Sequence, residues 1–359
     1  MSGSPAAGLR TETLRLPLRD PFRIARDEPA DVATTLIVDL EGIETWPDGV
    51  GEAYPVAYYG ETPATIEVVL PLLLAAVQGL GAVPPGVEGA RDWLHAADDA
   101  MDAVIGHHGG AKCGLDIALH DLIARRLDVP LYELLGTSPD LPPTDFSIGI
   151  DEPDVVAERA RRAGHFPALK IKLGGPNDID TLEAVRAVYG GPIRVDANTG
   201  WQPDEGARIV PELVRLGVEL IEQPLPAHDL AGLRWLQERS PLPIVADESA
   251  VTLRDLPNLV GVVAAVNVKL AKCGGVGPAL RMIRRARELG FKVFLGCMEE
   301  TSVGIAASAA LASLVDWVDL DGNLLLAEDP FEGLELDSTC RWQLPASPGL
   351  GLRRRVPAA

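Results

Sequence analysis

The chain has 359 residues, 47% of them hydrophobic, and a formal net charge of −20, enough length to bury a sizeable core in one large or two moderate domains. The acidity, against which the most compact basic run is only Arg353-Arg-Arg355, disfavours a nucleic-acid partner by overall repulsion, and no apolar run reaches the roughly 20 residues of a membrane-spanning helix. Four scattered cysteines, Cys113, Cys273, Cys297 and Cys340, form no CxxC pair, which argues for reduced thiols over a disulfide framework or a zinc site.

The first ten residues hold no basic segment followed by an apolar core, so a cytoplasmic location is expected. The acidity is read mainly as a solubility feature, with concentration of cationic substrates near an active-site mouth as the bolder reading.

The opening segment reads as strands: residues 11–16 closed by Pro17, then 33–40, then 51–54 before Pro55. Between the first two, residues 21–26 form a loop carrying Arg23 and Arg26, able to reach over a neighbouring domain. Helices follow over 65–77, 90–105 and 111–127. Pro71 predicts a kink or a split in the first of them. In the third, His120 and Asp121 are read as packing and surface groups.

From residue 145 onward short apolar runs alternate with helical stretches, predicted over 155–163, 178–188, 204–216, 230–238, 276–289 and 302–314, with a short one around 253–259. Pro211 predicts a kink or displaced start in the third of these. Five of the strands end in charge: Ala168-Leu-Lys-Ile-Lys172, Ile193-Arg-Val-Asp196, Val218-Glu-Leu-Ile-Glu222, Ile244-Val-Ala-Asp247 and Val266-Asn-Val-Lys269. The charged ends recur every 22 to 26 residues, the length of a strand, a helix and two loops. Right-handed crossovers between such units build a parallel sheet with all strand ends on one side. Eight strand ends, near Gly149, Lys172, Asp196, Glu222, Asp247, Lys269, Gly296 and Asp319, predict a closed barrel. Neither GxGxxG nor GxxxxGK[ST] occurs, so nucleotide cofactors lack support. Residues 327–354 add no further repeat unit and are expected to return to the opening domain. The division is then a capping domain over 1–135, a barrel over 136–325 and a returning segment over 326–359.

Asp196, Glu222 and Asp247, side by side at successive strand ends, repel one another unless a cation binds them. A ligand set of hard oxygens points to magnesium, or to manganese in its place. Lys170 and Lys172 share one face of their strand, and crowding of two buried ammonium groups predicts that one titrates towards the range of a general base, roughly 7 to 8. Lys269 ends the sixth strand, opposite the second in a ring of eight. A substrate carbon between the two walls is then open to inversion, with the metal bound to the substrate carboxylate and stabilising the enediolate. Lys272, three residues on, is the alternative second base; because Lys269 closes the apolar strand pattern and Lys272 belongs to the following loop, Lys272 is assigned a surface or loop-stabilising role. Asp319-Leu-Asp321 repeats the alternate spacing with acids, suiting the α-ammonium of a substrate or an internal salt bridge. Arg26 or Arg23 is placed to meet an anionic distal group.

The combination Lys170-x-Lys172, Asp196-Ala-Asn198, Ile221-Glu222-Gln-Pro224, Ala246-Asp247-Glu248-Ser249, Asn267-Val-Lys269 and Lys272-Cys-Gly-Gly275, with Gly51-Glu52-Ala53 and Gly296-Cys-Met298-Glu-Glu300, resembles the enolase superfamily and its muconate-lactonizing subgroup. The resemblance implies an α/β fold, a modified TIM barrel (β/α)7β with an α+β capping domain formed from both chain ends, and one magnesium ion. It implies proton transfer by Lys172 and Lys269 with Lys170 tuning its neighbour, metal ligation by Asp196, Glu222 and Asp247, and Asn198 and Glu248 standing behind the ligands. Asp319-x-Asp321 resembles the dipeptide epimerases, which implies an isomerase: the acids and Met298 would touch substrate, Arg26 an acidic side chain, and the C-terminal residue of an L,L-dipeptide would be inverted to L,D, with L-Ala-L-Glu the type substrate. The competing readings are a cycloisomerase or o-succinylbenzoate synthase-type lyase, an N-acylamino acid racemase using the same metal and lysines, and a catalytically silent binding protein. A homo-oligomer is left open.

Overall fold

The computed structural model describes residues 6–42 and 47–355. The opening segment forms an antiparallel sheet of β1 (Ala6–Phe22), β2 (Ala30–Gly42) and β3 (Gly49–Ala53), in that order. β1 does not stop at Pro17 as the sequence suggested. It continues to Phe22 through a shift in register between Pro17 and Phe22, which a proline tolerates at the edge strand of the three-stranded sheet. Residues 23–29 form the expected loop.

Three helices follow: α1 (Pro63–Gln78), α2 (Gly86–Val104) and α3 (Gly109–Arg126); α1 and α3 pack on the sheet, and α2 packs on these two helices. The expected split of α1 at Pro71 is absent, and α7 (Pro203–Arg215) likewise starts ahead of Pro211 and runs through it. Both prolines face solvent, where water can take the carbonyl that each leaves unbonded. β3 lies directly on α3: a Cβ at Gly51 would stand 2.0 Å from the Gly114 carbonyl oxygen, so only glycine permits that approach.

Every residue of α3 from Gly110 to Ala124 is buried, which corrects the surface reading of Asp121. Its carboxylate accepts the backbone N–H of Val50 at 3.0 Å and of Leu350 at 2.8 Å and pairs with Arg125, tying segments from both halves of the chain to one helix. Asp121→Ala strands two buried donors and a guanidinium, and we expect it to cost about 3 kcal/mol in urea unfolding. A change below about 0.5 kcal/mol would contradict this assignment.

The second half is a parallel sheet of β4 (Phe146–Ile148), β5 (Leu169–Lys172), β6 (Ile193–Asp196), β7 (Val218–Glu222), β8 (Ile244–Ala246), β9 (Ala265–Val268), β10 (Lys292–Gly296) and β11 (Trp317–Asp319), neighbours in chain order. A parallel bridge from Thr144 to Val318 brings the last strand against the first and closes the ring. A short α4 (Leu131–Leu135) precedes the barrel and α10 (Leu270–Cys273) is a single turn after β9; the longer helices between the strands fall where the sequence put them, among them α5 (Pro153–Arg162), α6 (Asp178–Val188), α8 (Leu230–Gln237), α11 (Val276–Glu288) and α12 (Ser302–Ala309). The weak stretch before β9 is one turn, α9 (Leu256–Leu259). Among the described residues no helix is long and apolar enough to cross a membrane.

Strand alternation sorts the barrel interior into layers. Leu220, Val245, Ala265, Phe294 and Trp317 form a separate apolar cluster. Two residues further along the same inward faces stand Glu222, Asp247, Asn267, Gly296 and Asp319. The floor is hydrophobic, and the layer above it is ionic. Past the barrel the chain returns across the opening sheet: Ala327 N–H donates to the Pro17 carbonyl at 2.8 Å, and Arg354 reaches Glu12 at 2.6 Å and Asp39 at 2.9 Å.

Candidate active site

The strand ends open into a cavity of about 610 Å³ roofed by the first sheet and its loops, with Lys170, Lys172, Asn198, Asp247, Lys269, Met298, Asp319 and Asp321 in its wall and Arg26 and Tyr58 in its roof. Lys172 comes from β5 and Lys269 follows β9, so the two amines reach one space from opposite sides of the ring. Lys172 Nζ lies 2.6 Å from Asp196 Oδ2 and Lys269 Nζ 2.9 Å from Asp247 Oδ2. Lys170, deeper, lies 2.6 Å from Asp319, 2.8 Å from Glu222 and 3.5 Å from Asp196.

At Lys170 and Lys269 these contacts work against the lowering expected from crowding. Burial does push the Lys170 and Lys269 ammonium groups down, but the surrounding carboxylates outweigh it: Asp319, Glu222, Asp196 and Asp145 raise Lys170, and Asp247 and Glu222 raise Lys269. Of the two roles expected of Lys272, the structure gives the loop-stabilising one and not the surface one. Lys272 is 3% exposed and donates to the Asp247 carboxylate and to the carbonyls of Asp247, Ala250 and Asn267, so it fixes the turn that presents Asp247.

Asp196, Glu222 and Asp247 are fully or nearly buried. Burial, then the negative charges of Asp196 and Asp247, push the Glu222 carboxyl up to about 7. Around them the buried oxygens Asn198 Oδ1, Glu222 Oε2, Glu248 Oε2 and Asn267 Oδ1 have no hydrogen-bond donor; the contact of Glu222 Oε2 with Lys170 is an ion pair without hydrogen-bond geometry. Among the described residues no three acidic, histidine or cysteine side chains are already closed around one point. A donor-poor cluster of hard oxygens fits a divalent cation of the magnesium type.

The backbone is shaped for this cluster. Asn198, Thr199 and Gln223 have φ of 42°, 68° and 31°, left-handed values that cost roughly 1–3 kcal/mol each without glycine. They occur directly after Asp196 and Glu222, where the chain must turn from strand to loop while its carboxylate stays inward. Gln223 accepts the N–H groups of Asp247 and Ser249 and so locks the end of β7 to that of β8. Asn198 donates its backbone N–H to Asp196 at 2.9 Å and its side-chain amide to Glu248 at 3.4 Å. Glu248 in turn is ion-paired to Arg26, whose guanidinium lies 4.5 Å over the Tyr58 ring. Arg26 thus lines the cavity with its charge already answered, whereas Arg23 lines a separate cleft.

Asp319 and Asp321 differ in their surroundings. Asp319 is engaged by Lys170 and by the Ser147 hydroxyl at 3.1 Å. Asp321 takes the Ser147 N–H on Oδ2, while among the described residues its Oδ1 meets the Cys297 thiol alone, at 4.0 Å. Burial and the adjacent Asp319 push the Asp321 carboxyl up to about 7. Ser147, Gln223, the tyrosines at 54, 58 and 59 and Glu299 were not singled out from the sequence. Ser147 was accessible in principle, as the inward residue of β4 beside β11; the tyrosines and Glu299 reach the cavity only through the packing of cap on barrel.

A barrel with an ionic upper layer of this composition under a cap is the architecture of one superfamily, and the chain belongs to it: residues 154–357 match the enolase C-terminal domain-like family and residues 8–136 the mandelate racemase/muconate lactonizing enzyme N-terminal domain. Among its relatives, an L-Ala-D/L-Glu epimerase of Bacteroides thetaiotaomicron is 37% identical over 94% of this chain and 86% of its own length. A hydrophobic dipeptide epimerase of Enterococcus faecalis is 34% identical over 94% of this chain and 96% of its own. The crystal structure of a dipeptide epimerase from Enterococcus faecalis, complexed with Mg and the dipeptide L-Leu-L-Tyr, superposes with a TM-score of 0.87 at 30% identity, covering 98% of this chain and 99% of that one.

Proposed function

We propose that the protein is a magnesium-dependent dipeptide epimerase, inverting the C-terminal residue of an L,L-dipeptide to the L,D form by 1,1-proton transfer. The observation that carries this reading is the pair of amines, Lys172 and Lys269, entering one cavity from opposite sides with a buried acid, Asp321, at its edge. Asp196, Glu222 and Asp247 would hold the cation, with Asn198 and Glu248 behind them, and manganese is expected to substitute. Bound there, the ion supplies positive charge to the substrate carboxylate, where the charge left by proton loss accumulates.

The chain's own residues divide the remaining work. One lysine must be neutral and its counterpart charged for a proton to leave one face of the α-carbon and return to the other. Lys269, held charged by Asp247, stands as the acid, and Lys172 takes the proton from the opposite face; the reverse reaction exchanges the roles. Lys170 stays protonated among Asp319, Glu222 and Asp196 and adds fixed positive charge beside Lys172. Asp321 receives the ammonium of the N-terminal residue, with Asp319 supplying charge behind it, and Met298 borders the same end of the cavity. A single-base elimination has no need of that second amine or of an acid for an ammonium group.

Chiral chromatography after incubation with magnesium and L-Ala-L-Glu or neutral L,L-dipeptides is expected to show L,D product with the N-terminal residue unchanged. Absence of L,D product across such a set would remove the reading. Asp321→Asn is expected to raise KM for dipeptides by about 10² while the magnesium affinity, read by calorimetry, stays unchanged; a variant with wild-type KM would remove the ammonium assignment. Because Asp321 must ionise to bind an ammonium, kcat/KM is expected to rise with pH through about 7, and at magnesium high enough to keep Glu222 ionised this limb is expected to flatten in Asp321→Asn.

A further inference from the structure

We propose that the cavity selects dipeptides whose N-terminal residue carries a cationic side chain, lysine or arginine, and that Glu299 is the selecting group. The inference rests on the dipeptide reading above and assigns the side chain that this reading leaves open.

Glu299 lies in the loop after β10 and lines the cavity. Its Oε2 accepts the Tyr54 hydroxyl at 2.6 Å, and among the described residues no lysine, arginine or histidine pairs with it. The loop is set against the ammonium acceptor: a Cβ at Gly322, directly after Asp321, would stand 2.2 Å from the Met298 carbonyl oxygen and 2.8 Å from the Glu300 nitrogen. The backbone on both sides of Glu299 therefore abuts the turn that carries Asp321. A residue whose α-ammonium sits on Asp321 begins its side chain beside this loop, so a three- or four-carbon stem ending in a cation extends towards Glu299.

The rest of the wall suits such a stem. Tyr54, Tyr58 and Tyr59 line the same space, and flexible cationic side chains pack their stems and heads on aromatic faces. Arg26 already demonstrates this chemistry, stacked on Tyr58 and paired with Glu248. Arg26 also meets Asp27 at 4.0 Å, so among the described residues the roof's arginine is answered by two acids, and Glu28 and Glu299 remain in the lining. An acidic side chain at the N-terminal position meets repulsion there. A neutral one leaves Glu299 partly desolvated without a counter-charge.

Initial rates with magnesium and the series L-Lys-L-Ala, L-Arg-L-Ala, L-Ala-L-Ala and L-Glu-L-Ala test the proposal. The cationic pair is expected to exceed L-Ala-L-Ala in kcat/KM by about tenfold and L-Glu-L-Ala by more. Glu299→Gln, which keeps an acceptor for Tyr54, is expected to lower kcat/KM for L-Lys-L-Ala about tenfold more than for L-Ala-L-Ala, and Glu299→Lys is expected to reverse the order of lysine-first and glutamate-first substrates. Equal rates across the series, or an equal fall for all substrates in Glu299→Gln, would overturn the selection while leaving the epimerase reading intact. If no dipeptide turns over, that reading fails by itself, and calorimetric binding of L-Lys-L-Ala against L-Ala-L-Ala still decides the selection, with equal affinities overturning it.

Discussion

Lys269→Ala and Lys172→Ala are each expected to lower L,L-to-L,D turnover by about 10⁴-fold, the upper range for loss of one positioned proton-transfer group. The larger effect is qualitative. Each variant keeps one lysine, so each is expected to exchange the α-proton of only the epimer whose C–H bond faces that lysine, and the two variants are expected to act on opposite epimers. The site survives either change. Asp247 retains Lys272 when Lys269 is lost, and Asp196 still has Lys170 at 3.5 Å when Lys172 is lost. A Lys269→Ala protein that exchanges both epimers would show that Lys269 is not the second proton-transfer group.

Removal of divalent cations is expected to take turnover to background and their return to restore it. Asp196, Glu222 and Asp247 would then be left to the lysines alone, with the substrate carboxylate deprived of its anchor. A second readout needs no substrate: magnesium at about 100 times its Kd is expected to stabilise the wild-type fold by about 2.7 kcal/mol, and Glu222→Gln is expected to weaken that response because the carboxylate at the centre of the trio loses its charge. Full activity after exhaustive chelation would contradict the cation assignment.

The barrel was legible because its signal is local. A strand that alternates, ends in charge and recurs every 22 to 26 residues sets both the parallel sheet and the side on which its ends gather, and α6 occupies the very residues that its pattern indicated, Asp178–Val188. What escaped depends on partners distant in sequence. The crowding argument at Lys170 counted the ammonium group two residues away but not Asp319, which lies 149 residues downstream and holds the lysine charged. Asp121 looked like a surface acid because nothing nearby reveals that Val50 and Leu350 will both donate to it. Pro17 and Pro71 act as breakers only where a hydrogen-bonding partner or a buried carbonyl is lost, and the edge position of β1 and the exposed face of α1 remove that cost. The tyrosines and Glu299 come from loops with no periodic pattern, and only the docking of the cap on the barrel makes them neighbours of Asp321.

Proton NMR of the purified protein with magnesium and small L,L-dipeptides in deuterated water addresses the central arrangement, two amines and one cation converging on a single carbon, most directly. Deuterium is expected to enter only the C-terminal α-carbon, in step with the appearance of the L,D epimer. Dipeptides that keep their α-protons across acidic, basic and apolar side chains, while a cyclisation or dehydration substrate is consumed, would contradict the account.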